Sequence, residues 1–136
     1  MGYDIHITRA RDWFEAYDNP DVAISAEEWL VYVENDPDLD LAGYNGLYFA
    51  IWSGECEYEE PWFDWSEGVI STKNPDDAIL DKAVDIAKQL NAKVQGDDGE
   101  VYLGGGRNNF IREEDEPSKT TIAESHQRPW WRRLFG

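Results

Sequence analysis

Residues 74–102 read NPDDAILDKAVDIAKQLNAKVQGDDGEVY, and two periodicities meet in this stretch. Asn74 can cap a helix, Pro75 suits its first position, and Asp76 and Asp77 favour the positive end of the helix dipole. Ile79, Ala83, Ile86, Ala87 and Leu90 recur at helical spacing and form one apolar stripe. Lys88 sits in the last turn, where the dipole favours a cation, and the helix should end near Asn91. Lys93-Val94-Gln95 and Glu100-Val101-Tyr102 then flank Gly96-Asp97-Asp98-Gly99, and Asp98-Gly99 is a strong hairpin signal. A helix feeding a hairpin points to a domain of mixed helix and sheet.

The rest of the chain extends this pattern. Tyr3 to Thr8 alternates, with Tyr3, Ile5 and Ile7 on one face and Asp4, His6 and Thr8 on the other, as a half-buried strand does. Residues 9–23 are mixed, with a turn at Asp18-Asn19-Pro20. Ser25 and Glu28 make a capping box, with Ile24 placed to staple onto Trp29. That helix should stop near Asn35, ahead of Asp36-Pro37. Gly46 to Trp52 reads as a strand, and Cys56 to Glu60 as a second one that Pro61 demotes to an edge or bend. Trp62–Trp65 and Val69–Thr72 are short extended pieces broken at Gly68. The expected fold is α+β: a single antiparallel or mixed sheet with two helices packed on one face, then a flexible C-terminal tail. The expected organisation is an acidic domain over 1–103, a polar linker over 104–128 opened by Gly104-Gly105-Gly106, and an aromatic-basic docking peptide over 129–136.

Three blocks carry a resemblance: Gly2-Tyr3-Asp4-Ile5-His6-Ile7-Thr8-Arg9, Ile24-Ser25-Ala26-Glu27-Glu28-Trp29, and Gln95-Gly96-Asp97-Asp98-Gly99-Glu100-Val101-Tyr102. Together they resemble a family of small uncharacterised bacterial proteins with no established activity. The resemblance spans most of residues 1–103. It implies a bacterial, cytoplasmic setting and no site residue.

Charge is unevenly placed. Residues 1–103 hold 24 acidic against 6 basic side chains, a formal −18, whereas residues 104–136 hold 5 against 6. Such a body repels nucleic acid and anionic lipid and attracts basic surfaces, so no nucleic-acid partner is expected. The lone Cys56 rules out an internal disulfide and fits a reducing cytosol. The first residues lack a basic region followed by an apolar run, and no stretch reaches the ~18 apolar residues of a membrane span. A cytoplasmic protein without stable membrane insertion is expected.

Catalytic chemistry is sparsely signalled. His6 is flanked by Asp4 and Thr8, but Asp4 lies about 7 Å away along a strand, a loose pairing. The hairpin acids Asp97, Asp98 and Glu100 could join Asp4 around a hard cation, yet their spacing matches no calcium loop and turn chemistry explains them. Cys56 lies between Glu55 and Glu57, which disfavours a thiolate. No catalytic residue, metal ligand or cofactor is assigned on this basis. A small hydrolase or metal-dependent enzyme centred on His6, Asp4 and the hairpin acids is the alternative reading.

Binding is signalled more strongly. Glu57, Glu59, Glu60, Trp62, Asp64 and Trp65 mix carboxylates with large aromatics around Pro61, the composition of a surface for a basic partner. Trp130, Trp131, Arg132, Arg133, Leu134 and Phe135 form an apolar-basic anchor that can dock on this body, on another copy or on a second protein. The leading expectation is a non-enzymatic module that covers a basic protein partner, as an immunity protein covers a cationic toxin domain.

Overall fold

The computed structural model describes residues 3–112. Residues 113–136, including Trp130 to Phe135, lie outside the described residues. The elements are β1 (Asp4–Thr8), two 3-10 turns (Trp13–Tyr17 and Pro20–Val22), α1 (Ala26–Asn35), β2 (Leu39–Leu41), β3 (Phe49–Trp52), β4 (Trp62–Ser66), β5 (Val69–Lys73), α2 (Asp77–Gln89), β6 (Lys93–Gly96), β7 (Val101–Tyr102) and β8 (Phe110–Ile111). All strands join one sheet in the order β2-β3-β4-β5-β1-β6-β7-β8. Every pairing is antiparallel. The fold is therefore α+β, and of the two expected sheet types the antiparallel one is present.

Alternation along β1 sets the two faces. Ile5 and Ile7 join Ala50, Phe63, Ile70 and Val94 beneath both helices, against Trp29 and Val33 of α1 and Ile79, Ala83, Ile86 and Ala87 of α2. The two helices thus share one face and one core. Ser25 Oγ accepts from Glu28 N while Glu28 Oε1 accepts from Ser25 N, so the capping box forms. Arg9 ties three elements together: Nε donates to the Leu90 carbonyl, and both terminal nitrogens grip Glu28.

Local expectations change at Asn74, at residues 56–60 and at the glycine run, while the break at Gly68 stands. Asp76, not Asn74, caps α2, its Oδ1 accepting from Ile79 N at 2.8 Å. Asn74 instead turns the chain at φ 49°, and its Oδ1 accepts from Tyr3 N. Residues 56–60 form no strand, because Asp76 Oδ2 draws the Glu57 N–H out of any ladder at 2.7 Å. Glu67 and Gly68, at φ 51° and 93°, close β4 onto β5 as a primed hairpin turn. Gly104-Gly105-Gly106 is a fastened turn rather than a loose joint. All three glycines have positive φ, Asp81 Oδ1 accepts from Gly105 N and Gly106 N, and Asp77 Oδ1 accepts from Arg107 N. The chain returns as β8 against β7, so the sheet runs beyond residue 103.

Candidate functional site

The second face of the sheet carries the candidate sites. One cross-strand row runs Phe49, Asp64, Ser71, His6, Gln95 over five strands. In its middle, Asp97 Oδ1 lies 3.0 Å from His6 Nε2, and Ser71 Oγ lies 2.9 Å from His6 Nδ1. A carboxylate can only accept, so Nε2 carries a proton, and in the neutral ring Nδ1 is then the acceptor for the Ser71 hydroxyl. This is the connectivity of a nucleophile, a base and an orienting acid. Asp97 Oδ2 also accepts from Asp4 N at 2.9 Å, which fixes the carboxylate.

The imidazole at its centre is nonetheless covered. The Trp13 ring stacks on the imidazole at 3.9 Å and 15°, and His6 is 4% exposed. The covering segment is fastened from below: Gln95 Oε1 accepts from Trp13 N, and Lys93 Nζ and Gln95 Nε2 donate to the Arg11 carbonyl. The neighbour of Ser71 on β4 is Asp64, a carboxyl whose pKa burial raises, partly offset by a hydrogen bond from the Trp65 backbone. A carboxylate beside Ser71 would repel, not stabilise, a developing oxyanion.

The hairpin acids do not converge. Asp97 reaches His6, Asp98 is exposed, and Glu100 turns to the helix-bearing face. There Glu100 is 3% exposed, Oε2 accepts from the Tyr3 and Tyr102 hydroxyls, and buried Oε1 has no partner among the described residues. Among the described residues, no group of three or more His, Cys, Asp or Glu is arranged to hold a metal ion.

Further along the same second face lies an aromatic patch. Phe49 and Trp62 stack at 5.2 Å and 25°, and Ile51 pairs across from Trp62. All three are half-buried and belong to neither apolar cluster of the interior. Asp40 borders them on β2 and Asp64 on β4. Glu57, Glu59 and Glu60 are exposed in the loop before β4. Trp65 departs from this group: it packs against the helix-side core, and its Nε1 donates to the Ile24 carbonyl at 2.7 Å. Of the six residues expected to meet a partner, Trp62 and Asp64 therefore share this face, three glutamates flank β4, and Trp65 holds the fold.

Sequence reasoning missed Ser71, Trp13, Phe49, Ile51 and Asp40. The first needs strand register to be seen beside His6. Trp13 had a signal in Asp12-x-x-Glu15, a cap-like spacing, and Glu15 Oε1 does accept from Asp12 N. Among the described residues, no helix is long and apolar enough to cross a membrane. No protein-family model, curated protein or solved structure matches the chain.

Proposed function

We propose that this chain is a non-enzymatic binding module whose second sheet face covers a basic protein partner, in the manner of an immunity protein. The observation that carries this reading is the Phe49–Ile51–Trp62 patch, which neither interior cluster absorbs, framed by Asp40 and Asp64. An apolar aromatic centre with a charged rim is the anatomy of a protein interface. Asp64 is a half-desolvated carboxyl, and a guanidinium or ammonium from a partner would relieve the cost of its ionisation. The −18 body speeds the approach of such a partner. A bacterial, cytoplasmic setting is part of the same proposal.

The test is affinity purification on the full chain from its native cell extract, at low and high salt. A basic polypeptide should be retained at low salt, released at high salt, and lost with Trp62→Ala. A partner without basic character, or retention indifferent to both salt and Trp62, refutes the reading.

A small hydrolase centred on His6 is the second reading, favoured by the Ser71–His6–Asp97 chain alone. Covalent labelling of Ser71 by a fluorophosphonate, lost in His6→Ala, would establish it in place of the first. Trp13 over the imidazole and Asp64 beside Ser71 both argue for a structural histidine.

A further inference from the structure

We propose that the chain's own residues Trp130, Trp131, Arg132, Arg133, Leu134 and Phe135 dock into the groove between α1 and β2. This groove has a volume of about 520 Å³, within the range of ligand sites. Its apolar walls are Leu30, Val31, Leu39 and Leu41, and Val31 and Leu41 stand 52% and 47% exposed. Its rim holds the exposed carboxylates of Glu27 and Glu34, while Asp36 inside it is already paired with Lys82. Among the described residues, no lysine or arginine lines it. β2 is also the sheet's edge, three residues long.

The occupant follows from complementarity. Two indoles, Leu134 and Phe135 suit the apolar walls, and Arg132 and Arg133 suit the carboxylate rim. Reach permits it. Arg112 follows β8, at the opposite edge from β2. Seven strand spacings at roughly 4.8 Å make about 34 Å. The 17 residues 113–129 span up to about 56 Å when extended. Tethering gives the segment an effective concentration on the order of millimolar, so even weak contacts are populated. Docking within one chain is favoured over docking on a second copy, because two bodies of −18 repel each other.

The experiment places a nitroxide on Gly136→Cys in the full chain, with Cys56→Ser, and reads amide signal loss by NMR. The spectrum with the nitroxide reduced serves as the check that the fold is intact. Signals of Val31, Glu34 and Leu41 should be lost while those of Asp98 and Gly99 persist. The loss should vanish in Val31→Asp, an exposed position, and in Trp130→Ala with Trp131→Ala. It should weaken at about 1 M salt, where screening acts within about 3 Å. Losses at Phe49 and Trp62 instead, or none above background, overturn the proposal. So does loss in a mixture of isotope-enriched unlabelled chain with spin-labelled unenriched chain, which would assign the segment to a second copy. None of these outcomes depends on the basic partner proposed for the second sheet face.

Discussion

Replacing Lys82 by methionine tests the most deeply buried ion pair among those described. Lys82 Nζ meets Asp36 Oδ2 at 2.6 Å, with side-chain exposures of 12% and 9%. The Tyr32 hydroxyl donates to the same oxygen, and the Asp38 N–H donates to Oδ1. Burial pushes the Asp36 pKa up, but hydrogen bonds from Lys82, the Asp38 backbone and Tyr32 outweigh it, and the net shift is downward. Methionine fills the space of the lysine stem and removes only the cation. Stranding a buried charge costs about 3–5 kcal/mol, and two surviving donors hold the loss near the lower end, about 3 kcal/mol at pH 7. In the parent, Asp36 contributes stability above the ordinary carboxyl value, lost as pH falls through its lower folded one. In the variant the Lys82 contribution is gone and burial dominates, so the folded pKa rises. The folded variant then takes up a proton first, and its deficit shrinks toward pH 4. Urea unfolding followed by tryptophan fluorescence at pH 7 and near pH 4 reads both numbers. Adding Asp36→Asn should restore part of the loss by removing the stranded charge. A pH-independent deficit below about 1 kcal/mol, the level of a surface pair, would refute the reasoning.

Further outcomes follow from the same geometry. Glu28, gripped first by the Arg9 hydrogen bonds and then by the Ser25 backbone, has its pKa lowered to about 2. Its contribution is present above about pH 4.5 and lost as pH falls toward 2; with the side chain 44% exposed, screening limits it to about 1 kcal/mol. Arg9→Met should remove that acid-side slope in urea titrations at pH 2–5. Tyr32 and Tyr102 are raised above 10.0, by burial first and then by hydrogen bonds to Asp36 and Glu100. A raised folded pKa is lost stability on the alkaline side, so stability should fall as pH rises above about 10, with both phenols ionising late in a 295 nm titration. Gly68→Ala places a Cβ at φ 93° and 2.7 Å from the Ala23 Cβ, in a turn to which Ile24 N is tied through the Gly68 carbonyl. Strain and overlap together should lower unfolding free energy by about 2–4 kcal/mol, read by thermal melts.

The helices were legible because their signals are local. α1 runs from the residue after Ser25 to Asn35, as the capping box and Asp36-Pro37 require. α2 begins two residues later than the sequence suggests because Asn74 and Asp76 are both competent caps, and tertiary partners decide between them. Tyr3 N takes Asn74, while Glu57 N and Ile79 N take Asp76. The short edge strands left no signal of their own. Leu39–Leu41 and Phe110–Ile111 hold three and two residues, too few for alternation to register, and each exists through its neighbour's ladder. The glycine run at 104–106 reads as a joint because composition cannot see Asp81 and Asp77 waiting on α2 to receive its N–H groups.

The two faces of one sheet account for how the site residues divide. A period of two sends Phe63 and Trp65 inward beneath the helices and Trp62 and Asp64 outward, so a run that looks like one binding motif belongs half to folding. The same rule separates Asp97 from Glu100 across the β6–β7 turn, and so dissolves the acid cluster that the hairpin suggests. Along the outward face, burial then grades function. Over β1 Trp13 stacks on the buried His6, whose ring nitrogens meet Ser71 and Asp97. Over β3 and β4, among the described residues, Phe49, Ile51 and Trp62 join neither interior cluster. An apolar patch beside carboxylates is the feature on which the proposed basic partner rests.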